Sequence, residues 1–203
     1  MILFGICSSS NLLEEPDFVL VLDRLRDPGN MGTILRSAEA AGVRTVALAP
    51  GCVDPWSPKV VRSGMGAHFH LSLPRFKSWA LLQASLVCIP IWLAEAEGAI
   101  AYDAVNWTSR CALVIGGEAD GVSAAARLLG TGNVSIPMAG RAESLNAAMA
   151  ATVLVFERAR QLRRTRPGDA GLPGRLSRVA GAGPQDVLQR DPGQMIADDR
   201  VEL

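Results

Sequence analysis

Residues 18–42 read FVLVLDRLRDPGNMGTILRSAEAAG. Phe18–Leu22 is an unbroken apolar run, the pattern of a strand buried on both faces. Asp27-Pro28-Gly29-Asn30 is turn chemistry. Thr33–Ala41 then reads as a helix, ended by Gly42 at a natural C-terminal cap position. At ~100° per residue Ile34, Leu35, Ala38 and Ala41 share one face, and Arg36 projects roughly 160° from its centre. The ordinary reading of Asn30 is a helix N-cap, and that of Arg36 a solvated side chain. A buried strand, a tight turn and an amphipathic helix make the opening unit of a parallel α/β sheet.

The rest of the chain repeats that unit. Further strands are expected at Thr45–Leu48, Leu86–Leu93, Ala112–Ile115 and Val134–Ile136. Helical patterns fall at roughly Pro58–Gly66, then Ser78–Ser85, Ala124–Leu129 and Ser144–Arg164. Buried strands alternating with helices imply a parallel sheet with helices on both faces. In the last helix Leu145, Ala148, Met149, Thr152, Phe156 and Ala159 follow one helical stripe, expected to face the core. Its far end carries Arg158, Arg160, Arg163, Arg164 and Arg166. After Pro167 Gly and Pro become frequent and periodicity is lost, so residues 167–203 read as a mobile tail with a short helix near Asp186–Arg190, following a domain over 1–166.

At 203 residues, 49% of them apolar, the chain can build one sizeable core. Twenty acidic residues balance twenty basic ones, leaving no global charge to attract nucleic acid. Cys7, Cys52, Cys88 and Cys111 form no CxxC pair and only two histidines accompany them, which points to reduced, buried thiols and away from a metal site or disulfides. The start, MILFGICSSS, lacks the basic flank of a signal peptide. No run approaches the ~20 apolar residues of a membrane span. A cytoplasmic protein is expected.

Two later stretches carry chemistry. Leu113–Ser123, LVIGGEADGVS, ends a buried strand in Gly116-Gly117 followed by Glu118. In open α/β sheets ligands gather at such carboxyl ends. It is neither GxGxxG nor a P-loop, so dinucleotide and phosphate-loop binding are not supported. Val134–Glu157, VSIPMAGRAESLNAAMAATVLVFE, runs from a strand through a loop to the long helix. Ser144 reads as its N-cap, Asn146 puts an amide in its first turn, and Ala147, Ala148, Ala150 and Ala151 permit close packing.

In this order DPGNMGTILRSAEAAG, LVIGGEADGVS and IPMAGRAESLNAAMAATVLVFE resemble the three motifs of the SpoU (TrmH-type) branch of the SPOUT RNA methyltransferases, over about Asp17 to Arg160. The resemblance implies a parallel α/β domain with a deep C-terminal trefoil knot that binds S-adenosylmethionine. Carried onto this chain, the cofactor would lie against Leu113, Gly116, Gly117 and Glu118, and against Ile136, Met138, Ser144, Leu145 and Asn146. It further implies a homodimer that methylates a ribose 2′-hydroxyl of rRNA or tRNA, without metal or membrane. Arg36 matches the family arginine proposed to assist deprotonation of that hydroxyl. Guanidinium stays protonated at ordinary pH, so clamping phosphate or ribose is chemically easier. Asn30, Glu118, Ser144 and Asn146 would orient the arginine, the ribose and the motif loops.

Departures from the pattern matter too. Gly117 stands where many relatives carry asparagine, and Ala147-Ala148 replaces a Val-Ser pair. Few residues precede Phe18, so the RNA-binding domain that leads many relatives is expected to be missing or truncated. RNA contact would then fall to Arg24, Arg26, Arg62, Arg158, Arg163 and Arg164. The alternative is a catalytically inactive RNA-binding relative that kept the fold, against which the intact Asn30, Arg36, Glu118, Ser144 and Asn146 speak.

Overall fold

In the computed structural model, residues 17–118 and 120–165 are described. Cys7, Arg166, the expected tail and its short helix lie outside them. Six strands, β1 (Phe18–Asp23), β2 (Thr45–Leu48), β3 (Ile91–Ala94), β4 (Ile100–Ala101), β5 (Cys111–Gly116) and β6 (Gly132–Ser135), form one sheet in the order β2-β1-β5-β3-β6-β4. Every pairing is parallel.

The alternation along each strand sorts the helices onto two layers. Phe18, Leu20 and Leu22 of β1, with Leu113 and Ile115 of β5, pack under α1 (Pro28–Ala40), α2 (Pro58–Gly64) and α5 (Ala147–Thr165). Val19 and Val21, with Ala112 and Val114, face α3 (Trp79–Ser85) and α4 (Ala124–Arg127). Both faces of β1 and β5 are therefore buried, as their uninterrupted apolar runs require. The sheet with helices on both faces is as expected.

Several boundaries differ from the sequence reading. Helix α1 starts at Pro28: Asp27 is its N-cap, its side chain accepting from Asn30 N at 2.7 Å, and Pro28 takes the first-turn position that needs no N–H. Asn30 is thus inside the first turn, which frees its side chain. Ser144 does not cap α5; Asn146 does, its Oδ1 accepting from Ala148 N at 2.8 Å and Met149 N at 3.4 Å. Strand β3 begins at Ile91, because Leu86 terminates α3 and Cys88 takes a left-handed φ of 62°. Strand β4 is too short to leave a sequence pattern, and β6 ends one residue before Ile136.

The stripe proposed for α5 is also corrected. Its buried residues are Ala147, Ala148, Ala151, Leu154, Val155, Glu157 and Arg158, while Leu145, just ahead of it, and Met149 and Phe156 are exposed. Small residues face α1, where Thr152 Oγ1 donates to Ser37 Oγ at 2.8 Å. On the other flank of α1, a Cβ added to Gly32 would land 1.9 Å from Ser63 Oγ, so glycine is what lets α2 sit this close. Of the thiols, Cys111 is buried, Cys52 partly so and Cys88 exposed, against the expectation that all would be buried. Burial pushes Cys111 up to about 11 and raises Cys52 as well.

Candidate active site

The carboxyl ends of β1, β5, β3 and β6 meet at one edge of the sheet, and the chemistry-bearing loops all leave from there. Strand β1 ends in Asp23, fully buried, whose Oδ2 accepts from Ser123 N at 2.6 Å and so ties the start of α4 to β1. The next residue, Arg24, turns the chain sharply with φ 55°. Its carbonyl then presses on the loop after β5: a Cβ at Gly117 would lie 2.6 Å from Arg24 O. Gly116 is equally constrained, a Cβ there falling 2.2 Å from the Gly121 backbone. Gly121, with φ 60°, closes the loop by donating its N–H to Gly117 O at 3.0 Å.

Between that loop and the segment 136–145 lies a cavity of about 460 Å³, within the range of small-molecule sites. Ile115, Gly116 and Val134 form its floor, with Ile136, Met138 and Leu145 on one wall and Ala147, Ala150 and Leu154 of α5 on another. Among the described residues Glu95, Glu97, Glu118 and Glu143 line it together with one cation, Arg127. Arg127 Nε donates to Glu95 Oε1 at 2.8 Å and Asn133 Nδ2 to Glu95 Oε2 at 2.7 Å, so that carboxylate is held from both sides. The apolar walls, backbone edges and surplus negative charge suit an elongated ligand with an apolar body and positive charge.

At Glu118, which lines the cavity, the three segments are joined by side chains. Asn30 Nδ2 donates to Glu118 Oε1, and Asn146 Nδ2 donates to Asn30 Oδ1 at 3.3 Å. With Asn146 also capping α5, the head of α1, the β5 loop and the head of α5 are held in one relay.

The SpoU rRNA Methylase family model matches residues 17–156, the stretch that builds this sheet, cavity and relay. The chain belongs to that family. It is 40% identical to a 23S rRNA (uridine(2479)-2′-O)-methyltransferase of Streptomyces viridochromogenes, across 71% of this chain and 53% of the relative. Similarity to the 23S rRNA (guanosine(2553)-2′-O)-methyltransferase RlmP of Bacillus subtilis is 34%, across 68% and 56%. The crystal structure of the SpoU methyltransferase AviRb from Streptomyces viridochromogenes, in complex with AdoMet, superposes with a TM-score of 0.67 at 38% identity, covering 73% of this chain and 62% of that one. The chain spans about half the length of the curated relatives it matches.

In this SpoU chain the sequence-derived residues fall into three groups. Gly116, Gly117, Glu118, Ile136, Met138, Ser144 and Leu145 line the cavity. Asn30 and Asn146 belong to the relay and do not line the cavity, and Leu113 is wholly buried inside the sheet. Arg36 is exposed and stands apart: six residues beyond Asn30, it lies roughly 9 Å farther along α1. It has no hydrogen-bond or ion-pair partner among the described residues.

The arginines proposed for RNA divide similarly. Arg26, Arg62, Arg163 and Arg164 are exposed. Arg24 is half-buried beside Asp120, its Nη1 3.5 Å from the carboxylate. Arg158 is withdrawn as a phosphate contact: it is buried, with its guanidinium 4.6 Å over the Phe18 ring, and burial lowers its pKa. The strand-end carboxylates Asp23 and Glu95 were missed. The signal available for Asp23 was a carboxylate closing an apolar strand, since a buried charge there needs backbone donors. Nothing local to Glu95 marks it. Among the described residues no group of His, Cys, Asp and Glu could hold a metal ion, and no helix is long and apolar enough to cross a membrane.

Proposed function

We propose that this chain is an S-adenosylmethionine-dependent RNA methyltransferase acting on a ribose 2′-hydroxyl of rRNA or tRNA, as a homodimer. One observation carries the reading: the cavity at the strand ends is walled by the second and third motif segments and shares Glu118 with the Asn30–Glu118–Asn146 relay. The names of the relatives, both rRNA 2′-O-methyltransferases, and the AdoMet bound to the related AviRb support it. The residues fit the cofactor. Gly116 and Gly117 put the β5 loop on the cavity wall, Met138 and Leu145 flank an apolar body, and the carboxylates favour its positive charge.

S-adenosylmethionine, when bound, supplies an electrophilic methyl group on sulfur. The chain's part is alignment, which is worth much of such a barrier. Asn30 and Asn146 offer amides to the ribose, Glu118 fixes Asn30, and Ser144 faces the cavity from the third motif. Arg36 remains charged, so it clamps phosphate or ribose and steadies developing negative charge on oxygen. Its distance from its own relay supports a site completed across two subunits. The outer surface of the α2–α1–α5 layer carries exposed Met65, Met149 and Phe156. A two-fold contact through that surface would cover them and carry Arg36 toward the partner's cavity. The lining of one cavity by both segment 136–145 and the loop after β5 suits a trefoil knot, and the unpaired thiols among the described residues suit a reducing, cytoplasmic setting.

The inactive alternative finds no observation in its favour. Of the two features behind it, the expected loss of a leading domain and Gly117, the glycine is explained by the Arg24 carbonyl that leaves no room for a side chain. Incubating the protein with labelled S-adenosylmethionine and rRNA or tRNA, then mapping ribose methylation, tests the proposal. Methyl transfer to a 2′-oxygen is expected; cofactor binding without transfer to either RNA would overturn it.

A further inference from the structure

A second, smaller cavity of about 140 Å³ opens on the other side of the β5 loop. Arg24, Arg26, Gly117, Glu118, Asp120 and Gly121 line it. Gly117, Glu118 and Gly121 also line the large cavity, so one loop separates the two. The notch is too small for a nucleoside and of a size for a single anionic group.

Its cations are poorly satisfied. Arg24 Nε is buried with no acceptor among the described residues, although buried polar atoms are nearly always paired. The nearest carboxylate, Asp120, reaches only Nη1, at 3.5 Å, and its side chain is 56% exposed. An ion pair this long and wet holds its partners weakly. Arg26 is exposed beside it. Glu118, the other carboxylate, is engaged by Asn30. Two guanidiniums, one with an orphaned N–H, therefore converge where a weakly held carboxylate sits. Arginine forks match the oxygens of a phosphodiester, which can take the place of Asp120.

We propose that this notch is a subsite for one backbone phosphodiester of the RNA, adjoining the nucleotide whose ribose enters the large cavity; it rests on the functional reading above. The shared loop sets the register: a phosphate seated between Arg24 and Arg26 puts the neighbouring ribose beside Glu118 and Asn30. Asp120 is the placeholder that the phosphate displaces.

The test uses the full chain and a synthetic RNA spanning the methylated position mapped with the wild type. Arg24→Asn removes the guanidinium while tolerating the left-handed backbone, and Arg26→Ala, at an exposed side chain, serves if the first variant does not fold. Each is expected to raise the KM for RNA roughly tenfold, as loss of a charge-assisted hydrogen bond does, with kcat and S-adenosylmethionine affinity unchanged. The salt dependence of RNA binding becomes shallower by about one unit for each arginine replaced. Asp120→Asn lowers the KM. A neutral methylphosphonate at the linkage next to the target reproduces the weakening in the wild type and adds nothing in the arginine variants. Unchanged KM and salt slope in both arginine variants would overturn the subsite. Absence of methyl transfer by the wild type would instead strike the functional reading, and the salt slope of binding to unfractionated rRNA or tRNA, compared between wild type and arginine variants, would still decide the subsite.

Discussion

Helix α1 presents two working surfaces that are built in opposite ways. At its head Asn30 is held on both sides, by Glu118 and by Asn146. Less than two turns later Arg36 is exposed and has no partner among the described residues. The first surface is finished by the chain's own folding, so its geometry exists before any ligand arrives. The second is left for something from outside, which makes it conformationally free until RNA or a second subunit supplies an anion. The relay is preorganised by its geometry, since each member is fixed by a separate backbone segment. A long cation serves a mobile polyanion better when it remains hydrated until contact.

Removing the free end should have the largest effect. Arg36→Ala is expected to lower methyl transfer by roughly 10²–10³-fold, the scale of losing one preorganised charge stabiliser, with unchanged cofactor affinity and melting temperature. Full activity in that variant would erase the contrast between the two surfaces. Next comes the joint that would bring Arg36 to a partner. Met149→Glu with Phe156→Glu should raise the dimer dissociation constant by roughly 100-fold or more, because facing like charges cost several kcal/mol. Sedimentation reads this directly, and since both side chains are exposed in the subunit, its fold should survive. A dimer that persists would place the joint elsewhere.

The preorganised end should respond in stability as well as rate. Asn30→Ala leaves Glu118 and Asn146 without their shared partner and is expected to cost about 1–2 kcal/mol. For a chain of this size that is a melting-temperature loss of ~2–4 °C per kcal/mol. A variant with intact stability but reduced activity would show that the relay orients substrate without bracing the loops. The smallest effect lies away from both surfaces. Glu157 receives two 2.6 Å hydrogen bonds from Arg160, which hold its carboxyl below the usual range. A depressed carboxylate stabilises the fold above its unfolded pKa and loses that contribution as pH falls through the lower folded value. Melting temperature should therefore decline more steeply on acidification below the ordinary carboxylate range in the wild type than in Glu157→Gln.

Much of this could be read from one dimension. The runs FVLVL and ALVI allow no exposed face, and Gly116-Gly117 after the second run marks a backbone meant to be approached. Asn30, Glu118 and Asn146 could be named only through the resemblance of the three motifs to the SpoU family, because locally they read as an ordinary cap, a residue after a strand end and a first-turn amide. Helix ends were less legible. Asp27 and Asn30 are both good caps, and only the backbone path decides which one caps and which is free. The same ambiguity moved the α5 cap from Ser144 to Asn146.

Local sequence by itself determined that the chain alternates buried strands with helices and collects its polar motifs at strand ends, because periodicity and turn chemistry act over a few residues. Which face of α5 turns inward was decided only in three dimensions. Met149 and Phe156 have the greater apolar area, but it is Ala148, Ala151, Leu154 and Val155 that pack into the core with α1, with Thr152 bonded to Ser37 beside them. Arg158 was likewise indistinguishable from its neighbours until Phe18, 140 positions earlier, came to lie beneath its guanidinium. Steric room and the pairing of charges depend on residues far apart in sequence, and only the packed chain brings them together.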